Sequence, residues 1–252
     1  MPARRRQDAA PAPAANAPSI APSPPIPPLA GSAPAAGSID ATLLGFHAEV
    51  ATCRVCASIG PWRKFPLGRR GTARYRLMVL GEAPGRVSLE NGRPFSNPRN
   101  LTVRNAFAQA IAPLTLAPED LLYFSDTVKC WPASPSGANR SPSAAENATC
   151  VSRHLLRELA IVQPRAVFAI GARAAAAILG RPVKMLDLHG AWLTAASGLR
   201  VLPLMHPSTI NIAGMRKVGI RSLSDYETRL AGLFRAELAP VLAQIHSGAF
   251  YK

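Results

Sequence analysis

The sequence predicts one domain with an α/β/α layered architecture around a central, mainly parallel sheet of about four strands. Short apolar runs of strand length empty into glycine-containing or polar loops, and helical-period patterns lie between them, an alternation that builds parallel sheets. The chain has 252 residues, enough for a full buried core without disulfides.

Taken in order, residues 1 to 38 hold 10 prolines and 12 alanines and no aromatic residue. Such a segment cannot build a core and reads as a disordered Pro/Ala-rich tail, leaving 39–252 as the folded domain. Arg4, Arg5 and Arg6 precede no apolar signal-peptide core, so the protein is expected in the cytoplasm. From Asp40 to Thr52, Leu43, Leu44, Phe46 and Val50 recur at helical spacing, with Ser38 or Asp40 as a cap. Tyr75 to Leu80 is a buried strand that ends at Gly81 and opens into Glu82-Ala83-Pro84-Gly85. Further strands are expected at Leu121 to Thr127, Ala166 to Ile170 and Val201 to Met205. Helices are expected at Leu101 to Ala112, Ala144 to Val162, Ala172 to Leu179 and about Ser224 to Leu238. Ligands of such sheets sit beyond the carboxyl ends of the strands. That rule gathers Gly81 to Gly85, Asp126 to Pro132 and His206 to Ser208 around one cleft.

Charge narrows the partner. With 29 Lys plus Arg against 14 Asp plus Glu the net charge is +15, and +13 remains once Arg4, Arg5, Arg6 and Asp8 are set aside. A polyanion, nucleic acid or an anionic membrane surface, is therefore the first partner to consider. No run approaches the ~18 apolar residues of a membrane span, which predicts a soluble protein.

Cysteine use is sparse and organised. Cys53 and Cys56 form a C-x2-C pair, Cys130 follows a strand and Cys150 lies in a helix, and these four are all the chain contains. A tetrathiolate site fits them better than disulfides. Zinc and a four-iron four-sulfur cluster suit the ligands equally, and spacing does not separate them.

Cys53-x2-Cys56, Gly81-Glu82-Ala83-Pro84-Gly85, Gly92-Arg93-Pro94-Phe95, Val128-Lys129-Cys130-x-Pro132, Asn139-Arg140, Cys150 and His206-Pro207-Ser208 stand in a fixed order along the chain. In order and approximate spacing the series resembles the family 4 uracil-DNA glycosylases, over residues 53 to about 235. The resemblance implies the uracil-DNA glycosylase fold, a [4Fe-4S] cluster on the four cysteines, and excision of uracil from single- or double-stranded DNA by a monomeric hydrolase that begins base-excision repair. It further implies Phe95 as the stacking face for the base and His206 as the group facing the leaving base. A neutral imidazole donating to O2 would stabilise charge that develops only in the transition state. Glu82 would orient a water or offset charge on the sugar, and the backbone of Ala83 and Gly85, with Asn139, would border the base. Arg140, Ser208, Arg216 and Lys217 are expected at the DNA backbone, with Met215 as the wedge entering the minor groove. Arg63, Lys64, Arg69, Arg70, Arg74 and Arg76 form a second basic cluster suited to phosphates.

The site departs from the family pattern twice. Where family 4 carries a Glu-Asp pair after G-E-A-P-G, this chain has Ser88 and Leu89, with Glu90 one place on. Asp126 stands where the family has the Asn that reads N3–H and O4 of uracil. An ionised Asp accepts only, so uracil recognition needs a protonated Asp126 or backbone amides, and an ionised Asp126 would favour a base with an amino group at that edge. The rival expectations are thus a glycosylase for another deaminated or modified base, and a uracil- or abasic-DNA-binding module with poor turnover.

Overall fold

The computed structural model describes residues 36–65, 70–98, 101–112, 114–207 and 212–246. Strands β1 (Leu77–Gly81), β2 (Tyr123–Asp126), β3 (Ala166–Ile170), β4 (Leu193–Thr194) and β5 (Arg200–Leu204) form one sheet, in the order β2-β1-β3-β5-β4. The pairs β1–β2, β1–β3 and β3–β5 are parallel, and β4 runs antiparallel to β5. The expected parallel sheet is present, enlarged by this two-residue antiparallel edge, which is too short to leave a periodic signal.

Strand side chains alternate between two cores, which makes three layers. Leu77, Val79, Phe124, Phe168, Ile170, Leu202 and Leu204 share one cluster with Phe107 and Phe234. These two rings come from α3 (Leu101–Ile111) and α9 (Leu223–His246) and stack with centroids 3.6 Å apart. Met78, Leu80, Tyr123, Val167, Ala169 and Val201 face the other way. They pack against α1 (Ala36–Thr52), α5 (Leu156–Val162) and α6 (Ala172–Leu179). Burial on both faces is why these strands read as unbroken apolar runs.

Local details differ from expectation. Helix α1 begins at Ala36, so Ser38 and Asp40 lie inside it rather than capping it. Asp40 instead accepts from the backbone N–H of Ala73 at 3.4 Å. The helix expected over Ala144 to Val162 is α4 (Ala144–Cys150), a π-turn (Val151–Leu155) and α5 in direct succession. The last helix runs on to His246, past Pro240. Three short helices were not anticipated: α2 (Arg86–Glu90), α7 (Met185–Leu188) and α8 (Ile212–Lys217). Among the described residues no helix is long and apolar enough to cross a membrane.

Candidate active site

The exits of β1, β2, β3 and β5 converge on a solvent-open cleft, bordered by Gly81 to Gly85, Phe95, Asp126, Asn139, Gly171 to Arg173 and His206. Gly81 makes this convergence possible. A Cβ there would stand 2.6 Å from Asp126 Oδ1 and 3.1 Å from Phe95 Cζ, so only glycine lets carboxylate and ring close over the end of β1.

Asp126 is 6% exposed. Burial pushes its carboxyl up to about 6, against the opposing pull of Arg70 and Lys129. Arg70 Nη1 lies 3.6 Å from Asp126 Oδ2, while its guanidinium also donates to the Phe124 carbonyl and rests over the Phe65 ring. The backbone carbonyl of Asp126 accepts from Lys129 Nζ at 2.5 Å. Lys129 is itself buried, paired with Glu158 at 2.5 Å and donating to Ser125 at 2.8 Å. This ion pair ties the exit of β2 to α5.

Phe95 has a φ of 54°, a left-handed conformation that costs an aromatic residue about 1–3 kcal/mol and is retained where surrounding structure enforces it. Its ring is buried beside Phe124, 6.0 Å between centroids, at the cleft wall. His206 is half-buried, and desolvation holds its imidazole below the usual histidine range, so the ring is neutral at physiological pH.

Glu82 leaves β1 with Oε1 buried and without a hydrogen-bond partner among the described residues. Facing that oxygen at 3.5 Å is Nε of Arg173, whose Nη1 donates to the Pro142 carbonyl. Sequence reasoning missed Arg173. It lies two residues past Gly171, on the exit of the third strand, where the strand-end rule applied to β3 would have found it. Asn139 is exposed at the rim, and its Oδ1 accepts from Arg86 N–H at 3.0 Å and Trp131 Nε1 at 2.8 Å, which fixes its amide and the start of α2 together.

Several expectations need correction. Arg140 is not available to a phosphate: Nε donates to Ala133 O, Nη1 to Ser141 O and Glu146, and Nη2 to Ser58 O and Glu146. These bonds use all five N–H groups of a guanidinium. Met215 is not a wedge. It is 2% exposed, because α8 turns it into the core with Ile220 and Tyr226, while Arg216 and Lys217 of the same helix are exposed. Of the two outcomes open for the missing acidic pair, a shift of its role to Glu90 or its loss, the geometry favours loss: Glu90 pairs with Arg86 on the exposed side of α2, and Ser88 borders the cleft. The second basic cluster is split between structural contacts and the surface, where Arg63 and Arg74 remain exposed. Arg70 is buried, Arg76 donates to Gln163 O at 2.5 Å, and Lys64 donates to the carbonyls of Cys53 and Trp62. Ser208 and Arg69 lie outside the described residues.

The four cysteines come together behind the cleft. Cys53, Cys56, Cys130 and Cys150 border one pocket, with Ile59, Trp62, Val128 and His154. The N–H of Lys129 donates to Cys150 Sγ at 3.3 Å. Burial raises the thiol of Cys150 to about 11, and Cys130 is likewise raised by burial. Among the described residues no three His, Cys, Asp or Glu side chains close on a single-ion site.

A mainly parallel α/β sheet whose strand ends surround one cleft defines an α/β protein with its ligand site at the strand ends, and sequence comparison specifies it. The chain belongs to the uracil DNA glycosylase superfamily, whose family model matches residues 69–221, more than half of its length. It is 29% identical over 134 residues to the Type-4 uracil-DNA glycosylase of Thermotoga maritima, spanning 53% of this chain and 65% of that protein. Similarity extends to two proteins of Pyrobaculum aerophilum. A Type-4 uracil-DNA glycosylase is 27% identical over 195 residues, covering 75% of this chain and 91% of its own length. A Type-5 uracil-DNA glycosylase is 31% identical over 204 residues, covering 75% and 85% respectively.

Proposed function

We propose that the chain is a monofunctional DNA glycosylase that hydrolyses the N-glycosidic bond of uracil in DNA and leaves an abasic site. One observation carries the reading: Asp126, Phe95, Glu82 and His206, from four separate stretches of sequence, border a single cleft at the strand ends. The superfamily membership and the names of the relatives support the same chemistry.

Cleavage requires the nucleotide to leave the stack, at a cost of a few kcal/mol. In the cleft the flipped base stacks on Phe95, whose enforced backbone keeps the ring against the pocket wall. Asp126 addresses the N3/O4 edge. In its protonated form the carboxyl accepts from N3–H through one oxygen and donates to O4 through the other, reproducing the pattern of an amide. His206 is neutral, so it can donate to O2 as the base departs as an anion, a bond that strengthens in the transition state. Glu82 faces the sugar, where its carboxylate offsets the oxocarbenium-like charge or orients the attacking water. Arg173 holds Glu82 from behind. Backbone amides of the Ala83 to Gly85 turn border the base, and Arg216 and Lys217 meet phosphates.

The cysteine pocket fits a [4Fe-4S] cluster. Four thiols, the ligand type such a cluster takes, border one pocket whose exposed surface is mostly apolar, and Lys129 N–H already donates to one sulfur. Cys53, Cys56, Cys130 and Cys150 would hold the cluster, which would cross-link the segment after α1, the loop after β2 and α4.

A second reading rests on Asp126: ionised, it favours a base with an amino group at the recognised edge. The deciding experiment incubates single- and double-stranded oligonucleotides, each bearing one altered base, and follows with alkali cleavage. Cleavage at uracil is expected. Cleavage only at an amino-bearing base supports the second reading, and tight binding without cleavage at any base points to a binding module.

A further inference from the structure

His154 takes no part in the cleft. It is carried by the π-turn Val151–Leu155, which begins at the residue after Cys150. Such turns widen a helix by one residue and concentrate at functional sites. Here the turn brings the imidazole to the pocket bordered by Cys53, Cys56, Cys130 and Cys150.

The ring is 5% exposed, and neither Nδ1 nor Nε2 has a hydrogen-bond partner among the described residues. Its aromatic neighbour, Phe46, meets it edge to face at 6.3 Å and offers no polar atom. A buried donor left unsatisfied is destabilising, and buried polar groups of native proteins nearly always have a partner. Val55, Ile59, Trp62 and Val128 share the lining with Lys64, Lys129, Thr149 and Arg153, but the surface these residues expose inside the pocket is almost all apolar, which makes a resident water a poor candidate. The polar atoms that a [4Fe-4S] cluster would add to this pocket are sulfurs. Lys129 N–H, donating to Cys150 Sγ at 3.3 Å, already shows the kind of bond available there.

We propose that His154 donates a ring N–H hydrogen bond to a sulfur of the cluster, and so acts as a tuning residue beside the four cysteine ligands. The inference rests on the cluster assignment made above. Four thiolates complete the cluster's ligand set, so His154 has no ligation to perform. A hydrogen bond to cluster sulfur stabilises the more negative, reduced state and raises the reduction potential. His154 would also make the pocket's polar balance depend on the cluster, since its removal leaves the buried ring without a partner.

The test uses the full chain as isolated, with iron and acid-labile sulfide measured first. Wild type, His154→Leu and His154→Gln are then compared by spectroelectrochemistry. The wild type labelled with ¹⁵N-histidine is examined by pulsed EPR of the reduced cluster. The expected result is a ¹⁵N coupling and an exchangeable proton coupling in the wild type. The potential moves to more negative values in His154→Leu, and His154→Gln, which keeps an N–H donor, returns part of the shift. An unchanged potential in an iron-replete His154→Leu, or a wild type without ¹⁵N coupling, overturns the proposal while leaving the cluster intact. The labelled wild type decides the matter even where the leucine variant fails to assemble. An iron-free wild type overturns the cluster assignment itself, and the role of His154 with it, before any variant is made.

Discussion

At the scale of single residues, the most consequential departure is Asp126. Its carboxyl is raised to about 6 by burial, and the protonated form is the one able to donate to O4. Uracil excision by the wild type is therefore expected to increase as pH falls from about 8 towards 6, and desolvation, which holds the His206 imidazole below the usual histidine range, favours its neutral form over the upper part of that interval. Asp126→Asn, a permanent amide, should flatten this limb; loss of activity at every pH would mean that Asp126 takes part in the chemistry. A second prediction concerns Arg173 and Glu82, 3.5 Å apart. Arg173→Ala should slow single-turnover excision by about 10- to 100-fold through misplacement of Glu82. In a Glu82→Gln background the same change should cost almost nothing further. Additive losses would show that Arg173 acts independently. Residue type was legible here, but partnership was not. Nothing in the sequence says that Arg140 spends every donor inside the fold, that Met215 turns inward, or that His154 is orphaned, because each depends on residues distant in sequence.

At the scale of elements, the strands were legible because both sheet faces are buried, which leaves unbroken apolar runs such as Ala166–Ile170. The antiparallel β4 and the short helices α2, α7 and α8 carry too few residues to establish a period. The π-turn after Cys150 keeps a helical pattern and so was hidden within one long helix. The loop that leads into α4 is held by Arg140, whose guanidinium bonds Ser58 O, Ala133 O and Glu146. These bonds, led by those from Arg140, hold the Glu146 carboxyl at about 2, below its ordinary 4.5. A carboxyl depressed in the folded state stabilises fully above its unfolded value, and that contribution is lost as pH falls from 4.5 towards 2. Glu146→Gln should lower unfolding stability by about 2 kcal/mol near neutral pH. By denaturant titration, the gap to the wild type should narrow in acid. A gap that is constant with pH would mean that the side chain acts through packing alone.

At the scale of the whole molecule, the positive charge of +15 pointed to a polyanion but not to where it binds. The structure buries Arg70, occupies every donor of Arg140 within the fold, and leaves Arg216 and Lys217 exposed on α8 after the His206 loop. Reversing both charges should weaken DNA binding and make the dependence of log affinity on log salt shallower by roughly two, about 0.9 for each lost phosphate contact. An unchanged slope would place the DNA elsewhere. The cleft itself followed from topology, since parallel strands deliver their exits to one edge whatever the loops contain.

The central claim is that the strand-end cleft releases uracil with help from a neutral histidine, and single-turnover release of free uracil from a uracil-containing duplex tests it most directly. The wild type should release one uracil per abasic site formed, and His206→Ala should be slower by about 10²- to 10³-fold at unchanged DNA affinity, the loss typical of one transition-state donor. A wild type that binds the duplex and releases no uracil, or a His206→Ala variant that matches its rate, would contradict the account.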